Sequence, residues 1–369
     1  MPRPAKGPRL YLRAARRRGS ALSPAVWVIR DGGAEISTGC DGSDRAGAEQ
    51  ALAAHIVAKW RPARRERDIA EIAVADVIAI YLADVAPRQS RPAKAAERAG
   101  RLNAFFGDKT LSEINGPLCR AYVVWRGSNG GARRDLEDLS AAIGHHSVEG
   151  LHRGQVRVWL PPKGEPRQRW LTRDEVKRLA RVCFTTRESQ EGEPTRRKPL
   201  EHTGRFVLIG ALTGSRPGAI LNASWLPGPG RSYVDIENGV FHRRGDGVAK
   251  TAKRQPTVKL PGLLLGLMRR WRRDDLAKTP PQTYVVSFAG EKIESVDKSL
   301  ARAVKLAGLA DGVTPYTLRH TCASWLVAKG LPTRLIADFL GTSEQMILQH
   351  YGHLSPDYQD RAAREVWRR

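Results

Sequence analysis

The sequence predicts a mainly α-helical fold with small β elements, an α+β chain, and three observations carry that prediction. Residues 68–160 are a succession of segments with apolar residues at helical spacing, beginning with "DIAEIAVADVIAIYLADV" and separated by Gly or Pro. The N-terminal segment instead holds short β-prone runs broken by Gly and Asp. The C-terminal half alternates helical patterns with one strong hairpin signal, Asn238-Gly239.

The chain has 369 residues, which suits two or three domains. Lys and Arg number 62 against 38 Asp and Glu, a net charge of +24. Such an excess points to a polyanionic partner, because Lys and Arg that neutralise phosphates release condensed counterions. No charge-free run of about 18 apolar residues exists, so no membrane span is expected. The basic N-terminus has no apolar stretch after it and does not read as a secretory signal. Cys40, Cys119, Cys183 and Cys322 lie far apart without a CxxC pair. They read as scattered thiols in a reducing compartment, and no metal binding by them is expected.

Residues 1–66 open with seven Lys/Arg and no acid in the first 18 positions. "RLYLRA", "AVWVIRDGG" and "AEISTG" then predict three strands, and "DRAGAEQALAAHIVAKW" predicts one helix. Residues 67–160 predict a bundle of about four helices. The adjacent His145 and His146 cannot share a helix face and are expected on a polar surface. "LPPKGEPRQR" (160–169) reads as a linker, its prolines disfavouring helix.

The last domain, residues 161–369, starts with Thr172 as an N-cap and Glu175 completing a capping box. "FVLIGALTGSRPGAILNAS" reads as a buried helix, a Thr-Gly turn and a second helix with Pro217 in its first turn. Arg216 at that junction either packs the turn or meets an anion; position alone leaves both open. The segment 233–260 is β-like, with Lys250 and Lys253 in a second turn before the strand "PTVKL". A lysine there either reaches into a groove or is a solvated charge. Thr314 and Pro315 start a helix in which Tyr316 and Arg319, three apart, share a face. His320 is expected to point elsewhere. A further helix, a turn at Gly341 and a helix ending near Tyr351 complete the pattern.

Two arginines, a hairpin lysine and a C-terminal tyrosine in this order resemble the tyrosine recombinase (phage integrase) family. The matching stretches are "ALTGSRPGAIL", "KTAKRQPTVKLP", "TPYTLRHTCASWL" and "LGTSEQMILQHYGHLSP", spanning most of residues 167–356. The upstream layout is similar too: an arm-type DNA-binding module (1–66) and a helical, SAM-like core-binding domain (67–160) ahead of a DNA breaking-rejoining domain (161–369).

The resemblance implies a site-specific recombinase, an integrase that carries out integration and excision of a prophage or other mobile element. By that likeness Tyr351 attacks a phosphodiester, holds the 3′-phosphate and releases a 5′-hydroxyl. Arg216 and Arg319 hold the non-bridging oxygens with planar donor forks, stabilising charge in the transition state. Lys250 stands at the first lysine of the family's K-T-x-K motif and is the general acid for the 5′ oxygen. No ATP or metal is implied as a cofactor. The partners implied are double-stranded DNA at core and arm sites, other copies of the chain in a tetramer, and DNA-bending accessory proteins. The compartment implied is the bacterial cytoplasm, at the nucleoid.

Three positions depart from the family pattern. Tyr316 stands where a His is usual, Thr342 where a His or Trp is usual, and Ala219 where an acid is frequent. A phenol is a poor proton shuttle near neutrality. His350 and His353 flank the tyrosine, and His353, two residues past it, is the better replacement imidazole; capping a helix end is their plainer use. Two rival readings follow: a DNA-binding protein of the same fold with weakened cleavage, and a type IB topoisomerase-like relaxing enzyme. Covalent trapping on DNA separates the first, and site-independent relaxation the second.

Overall fold

The structure is a computed structural model that describes residues 8–18, 21–59, 64–89, 92–164, 169–190, 193–195, 197–248, 254–354 and 366. The chain divides into two compact units, residues 1–165 and 166–369. The division falls within the proline-bearing stretch expected to be a linker.

The first unit opens with β1 (Arg9–Arg13), β2 (Arg16–Arg18), β3 (Ala21–Ser23), β4 (Val26–Asp31) and β5 (Ala34–Asp41). β1, β4 and β5 are the three runs expected from sequence. They form an antiparallel sheet in the order β1-β4-β5, with Tyr11 opposite Val28 and Ile29 opposite Ile36. β2 and β3 add a small hairpin that the β-propensity pattern did not signal. Helix α1 (Arg45–Lys59) follows, tied to the central strand by Lys59 Nζ and His55 Nε2, 2.7 and 2.9 Å from Asp31.

Helices α2 (Val74–Asp84), α3 (Pro92–Phe106), α4 (Gly116–Arg126) and α5 (Asn129–Val148) make up the bundle. Ile29, Leu52 and Ile56 of the sheet and α1 belong to the same buried cluster as Ile72, Val77, Leu102, Phe106 and Leu136. The N-terminal module therefore shares its core with the bundle. Asp135, 1% exposed, is held there by Tyr122 Oη at 2.9 Å, Arg101 Nη2 at 2.9 Å and Arg126 Nε at 3.0 Å. A buried carboxylate tolerates its place only with such charged donors.

His145 and His146 differ from expectation. His145 sits against Asp84 at 3.1 Å, and His146 is buried with Nδ1 2.8 Å from His152 Nδ1. Adjacent residues do diverge on the helix, but both of the faces they point to are covered by other elements of the unit. Burial, with His152 next in effect, pushes His146 down to about 4.

The second unit contains α6 (Arg173–Thr185), whose capping box is formed as expected: Thr172 Oγ1 accepts from Glu175 N at 3.2 Å and Glu175 accepts from Thr172 N at 2.8 Å. A hairpin, β6 (Ser189–Gln190) and β7 (Glu193–Pro194), leads to α7 (Glu201–Thr213) and the short α8 (Pro217–Leu221). Strands β8 (Tyr233–Asp235), β9 (Val240–His242) and β10 (Val258–Lys259) form an antiparallel sheet in the order β10-β9-β8. Asn238-Gly239 turns the β8–β9 hairpin, with Asp235 Oδ1 accepting from Asn238 N at 2.9 Å. Then come α9 (Gly262–Leu276), the hairpin β11 (Ser287–Phe288) and β12 (Glu291–Lys292), and α10 (Asp297–Leu306). Helices α11 (Pro315–Ala328), α12 (Thr333–Leu340) and α13 (Glu344–Tyr351) end the described fold, followed by a 3-10 turn at Gly352–Leu354.

Phe206, Ile209, Leu264, Met268, Trp271, Val285 and Leu318 lie in the main core of this unit. A smaller cluster of Cys322, Ala323, Ile336, Leu340 and Ile347 packs Tyr351 and Leu354 against α11 and α12. Among the described residues no helix is long and apolar enough to cross a membrane, and no group of three or more His, Cys, Asp or Glu could hold a metal ion.

Candidate active site

Two helix ends build the site. α7 stops at Gly214 (φ +63°) and α12 at Gly341 (φ +69°), both in the left-handed region that favours glycine. A Cβ at Gly214 would lie 2.2 Å from Leu340 Cδ2, and one at Gly341 would lie 2.5 Å from Pro256 Cδ and 2.6 Å from Arg254 O. At Gly341 the neighbour includes backbone that cannot give, at Gly214 it is the end of a leucine side chain, and at both the positive φ disfavours any other residue. Each leaves carbonyls without an intrahelical donor, and such carbonyls carry partial negative charge.

The two arginines use those carbonyls. Arg216 donates from Nη2 to Gly341 O at 2.8 Å and from Nη1 to Arg254 O at 2.6 Å. Arg319 donates from Nη1 to both Gly214 O at 2.9 Å and Leu340 O at 2.7 Å. No described residue pairs with the Nε or Nη2 of Arg319. Arg319 is brought in by α11, which begins with Thr314 as N-cap and Pro315 in its first turn, as expected.

A third arginine stands behind them. Arg243, 4% exposed, donates to Ser215 Oγ at 2.8 Å, to Phe339 O at 2.7 Å and to Thr213 O. It joins the ends of α7 and α12 from within. Among the described residues, no carboxylate lies within ion-pairing distance of Arg216, Arg243 or Arg319. Burial, and then Arg319, pull the Arg243 guanidinium down to about 9; burial, and then Arg216, pull Arg319 down to about 10. Three cations concentrated without an anion make a site whose missing charge is negative.

Tyr351 ends α13 and faces a cavity of about 380 Å³, which is also lined by Arg216, Tyr316, Arg319, His320, Thr342 and His350. Its hydroxyl is 2.6 Å from His320 Nδ1. Burial pushes the phenol up to about 12, although Arg319 acts in the opposite direction. Tyr316 is half exposed at the cavity, and Thr342 lines it, with its backbone N–H bonded to Ala337 O at 3.0 Å. His350 is a lining residue, whereas His353 is exposed in the 3-10 turn. Ala219 contributes its carbonyl to Ser232 Oγ at 2.6 Å. Lys250 and Lys253 lie outside the described residues.

Five sequence-selected residues (Arg216, Arg319, Tyr316, Thr342 and Tyr351) thus line one cavity. Two residues were missed. His320 was expected to point elsewhere, yet it is four residues after Tyr316, and i and i+4 share a helix face as i and i+3 do. Arg243 has a weaker signal: it is two after Phe241, so continuing the strand's alternation places it on Phe241's buried side.

Known proteins share both the motif and the fold. The model of the family described as "Phage integrase family" matches residues 169–357. The integrase of Salmonella phage P22 is 23% identical over 242 residues, covering 59% of this chain and 55% of that protein. Tyrosine recombinase XerC of Corynebacterium glutamicum is 33% identical over 166 residues, 42% of this chain and 53% of that one. The chain therefore spans about half the length of these two relatives. Tyrosine recombinase XerA of Pyrococcus furiosus is 26% identical over 262 residues, 68% of this chain and 82% of that protein. Among solved structures, the Tn1549 transposon integrase in complex with circular intermediate DNA superposes with a TM-score of 0.62 at 16% identity, covering 81% of this chain and all of that one. A lambda integrase tetramer bound to a Holliday junction gives 0.55 at 17% identity, covering 90% and 94%. These structural likenesses establish the shared fold.

Proposed function

The chain belongs to the phage integrase family, and on that premise we propose that it is a site-specific tyrosine recombinase that cuts and rejoins DNA through a covalent 3′-phosphotyrosine. The observation that carries this reading is the pairing of an uncompensated arginine cluster with the Tyr351 phenol. Arg216 and Arg319 are pinned on helix-end carbonyls beside Tyr351 in a single cavity. Guanidinium forks match the oxygens of a phosphodiester, and rigid placement lets them stabilise the extra negative charge of the phosphorane without reorganising.

In the proposed cycle Tyr351 Oη bonds to phosphorus and the 5′ oxygen leaves. Lys250, assigned by its K-T-x-K position, protonates that oxygen. The phosphodiester is exchanged for a phosphotyrosine of similar energy, so rejoining is the same step run backwards, and a nucleoside triphosphate has no role to fill. Tyr316 and Thr342 are proposed to donate to the phosphate from the places usually held by imidazole or indole.

The substrate is proposed to be double-stranded DNA at an attachment site, with integration and excision of a mobile element as the outcome. One tyrosine cuts one strand, so a full exchange takes four copies; the likeness in fold to a lambda integrase tetramer on a Holliday junction supports that number. Residues 1–66 are proposed as the arm-binding module and the helices after them as the core-binding module. Tyr11, Leu12, Arg13 and Arg16 are exposed there, a basic surface with an aromatic within it.

The test is a nicked suicide substrate made from the attachment site beside the protein's own gene. The native chain should become covalently linked to it. Tyr351→Phe, which keeps the ring and removes the hydroxyl, should bind and form no adduct. An adduct with Tyr351→Phe would refute the assignment of the nucleophile, and binding without any adduct by the native chain would favour a weakened DNA-binding protein.

A further inference from the structure

We propose that His320 is the general base that takes the proton of Tyr351 in cleavage and returns it in rejoining. The inference rests on the recombinase reading and assigns a role that the reading leaves vacant, since Tyr316 occupies the place where an imidazole is usual. Its basis is geometric: Tyr351 Oη and His320 Nδ1 are 2.6 Å apart, within reach for direct proton transfer.

The direction of that hydrogen bond follows from the surroundings. Arg216 and Arg319 line the same cavity and carry only donors. With Nδ1 as acceptor, the phenol hydrogen is directed at a lone pair 2.6 Å away, and the lone pairs of the phenol oxygen stay free for the donors of Arg319, the cation that acts on it. Tyr351, raised by burial, holds its proton at neutral pH, so an acceptor is needed at the moment of attack. His320 is lowered, first by burial and then by His350 and Arg319, so at neutral pH it is unprotonated and able to accept.

In cleavage the Tyr351 O–H bond breaks and its proton goes to His320 Nδ1. The Oη–phosphorus bond forms with the freed pair. The phosphorus–O5′ bond breaks, and the 5′ oxygen takes a proton from the general acid. His320 is weaker as a base than a free phenolate, so transfer is concerted with the Oη–phosphorus bond, which makes the phenol proton strongly acidic. The resulting imidazolium stands beside the phosphorane's negative charge. In rejoining the 5′-hydroxyl gives its proton back to the deprotonated general acid as the phosphorus–O5′ bond forms, the Oη–phosphorus bond breaks, and the imidazolium returns its proton to Oη.

Alternative imidazoles are less well placed. The ring centroids of His320 and His350 lie 5.8 and 6.3 Å from that of Tyr351, but among the described residues only His320 reaches the hydroxyl with a hydrogen bond, and His353 is exposed in the 3-10 turn. The ionisable groups around His320 are Tyr316 and Arg319 on its own helix, His350 and Tyr351 on α13, His353 after it, and Arg216 before α8.

The test is single-turnover cleavage of the suicide substrate at saturating DNA, from about pH 5 to about pH 8. The native chain should show a rate that rises with pH on a limb below the ordinary histidine value of 6.5 and is flat at neutrality. His320→Gln should bind the site as the native chain does, cleave roughly 10²–10⁴-fold more slowly and lose that limb. His320→Ala should recover part of its rate when imidazole is added. His320→Gln cleaving at the native rate with the native limb would overturn the proposal. Should the variants fail to fold, the native chain still decides: ¹⁵N shifts of His320 should report an unprotonated Nδ1, and a protonated Nδ1 or an absent limb would overturn it. A native chain that forms no adduct at all defeats the recombinase reading instead, whereas a native adduct with an unimpaired His320→Gln defeats this proposal alone.

Discussion

Arg216 Nη2 donates to the carbonyl of Gly341 at 2.8 Å, joining residues 125 positions apart. One arginine of the site is thereby held by the end of the helix that precedes Tyr351's own. The left-handed Gly341 is what aims that carbonyl. Gly341→Ala places a Cβ 2.5 Å from Pro256 and costs about 1–2 kcal/mol for the backbone conformation alone. The variant should unfold at lower urea concentration, and its single-turnover cleavage should fall further than its DNA affinity, because the carbonyl must move. Unchanged cleavage in a destabilised Gly341→Ala chain would show that Arg216 does not depend on it.

The N-terminal module shares buried residues with the bundle, so cutting at residue 66 would expose the face of α1 that packs on α3. Point substitutions are the cleaner probe of DNA binding. Arg13 and Arg16 are exposed. Replacing both with Ala should weaken binding to arm-containing DNA and lower the slope of log K against log salt by about one for each phosphate left without its arginine. Binding to a core site alone should change little. Equal weakening on both DNAs, or none, would count against an arm role for this surface.

His146 should make the first unit acid-sensitive. Its folded value is about 4 against an unfolded value near 6.5, so the unfolded chain binds the proton first as pH falls. The stability that His146 contributes is complete above about pH 6.5 and is lost progressively toward pH 4. Between pH 7 and pH 5 the loss should be roughly 1–2 kcal/mol, read from urea unfolding. His152, Arg67, Asp76 and His145 share that environment, so the comparison is with His146→Leu, in which this share of the pH dependence should vanish. An identical pH dependence in the variant would assign the effect elsewhere.

Helix ends and hairpins were legible where a residue's own chemistry sets the backbone. Thr172 and Glu175, Asn238-Gly239, Pro315 and Gly341 all stand where their local preferences put them. The order of Arg216, Arg319 and Tyr351 was legible as a motif. What holds them was not, because the acceptors are backbone carbonyls of Gly214, Leu340 and Gly341, and every residue has a carbonyl. His320 stands i, i+4 from Tyr316, so the helical spacing that puts Tyr316 and Arg319 on one face of α11 admits His320 as well. His146 was misread because covering both faces of α5 is a tertiary fact, absent from the helix's own pattern.

Tyr316 and Arg319 differ in what each can give the phosphate, and that difference is measurable. Tyr316 is half exposed at the cavity and has one neutral hydroxyl to donate. Tyr316→Phe keeps the ring, so DNA affinity should hold while single-turnover cleavage slows by roughly tenfold to a thousandfold, the range for one transition-state donor. Arg319→Ala removes a charged fork anchored on two helix-end carbonyls and should cost more. Tyr316→His restores the family's usual imidazole one turn before His320. If His320 already serves Tyr351, the restored ring acts on the phosphate alone, and Tyr316→His should cleave at about the native rate while leaving the acidic limb in place. If Tyr316→His, His320→Gln recovers native cleavage, the imidazole at 316 has taken over the proton, and the two positions are interchangeable. Recovery that fails in this double variant would mean that the 2.6 Å reach from His320 to Tyr351 is what the reaction requires.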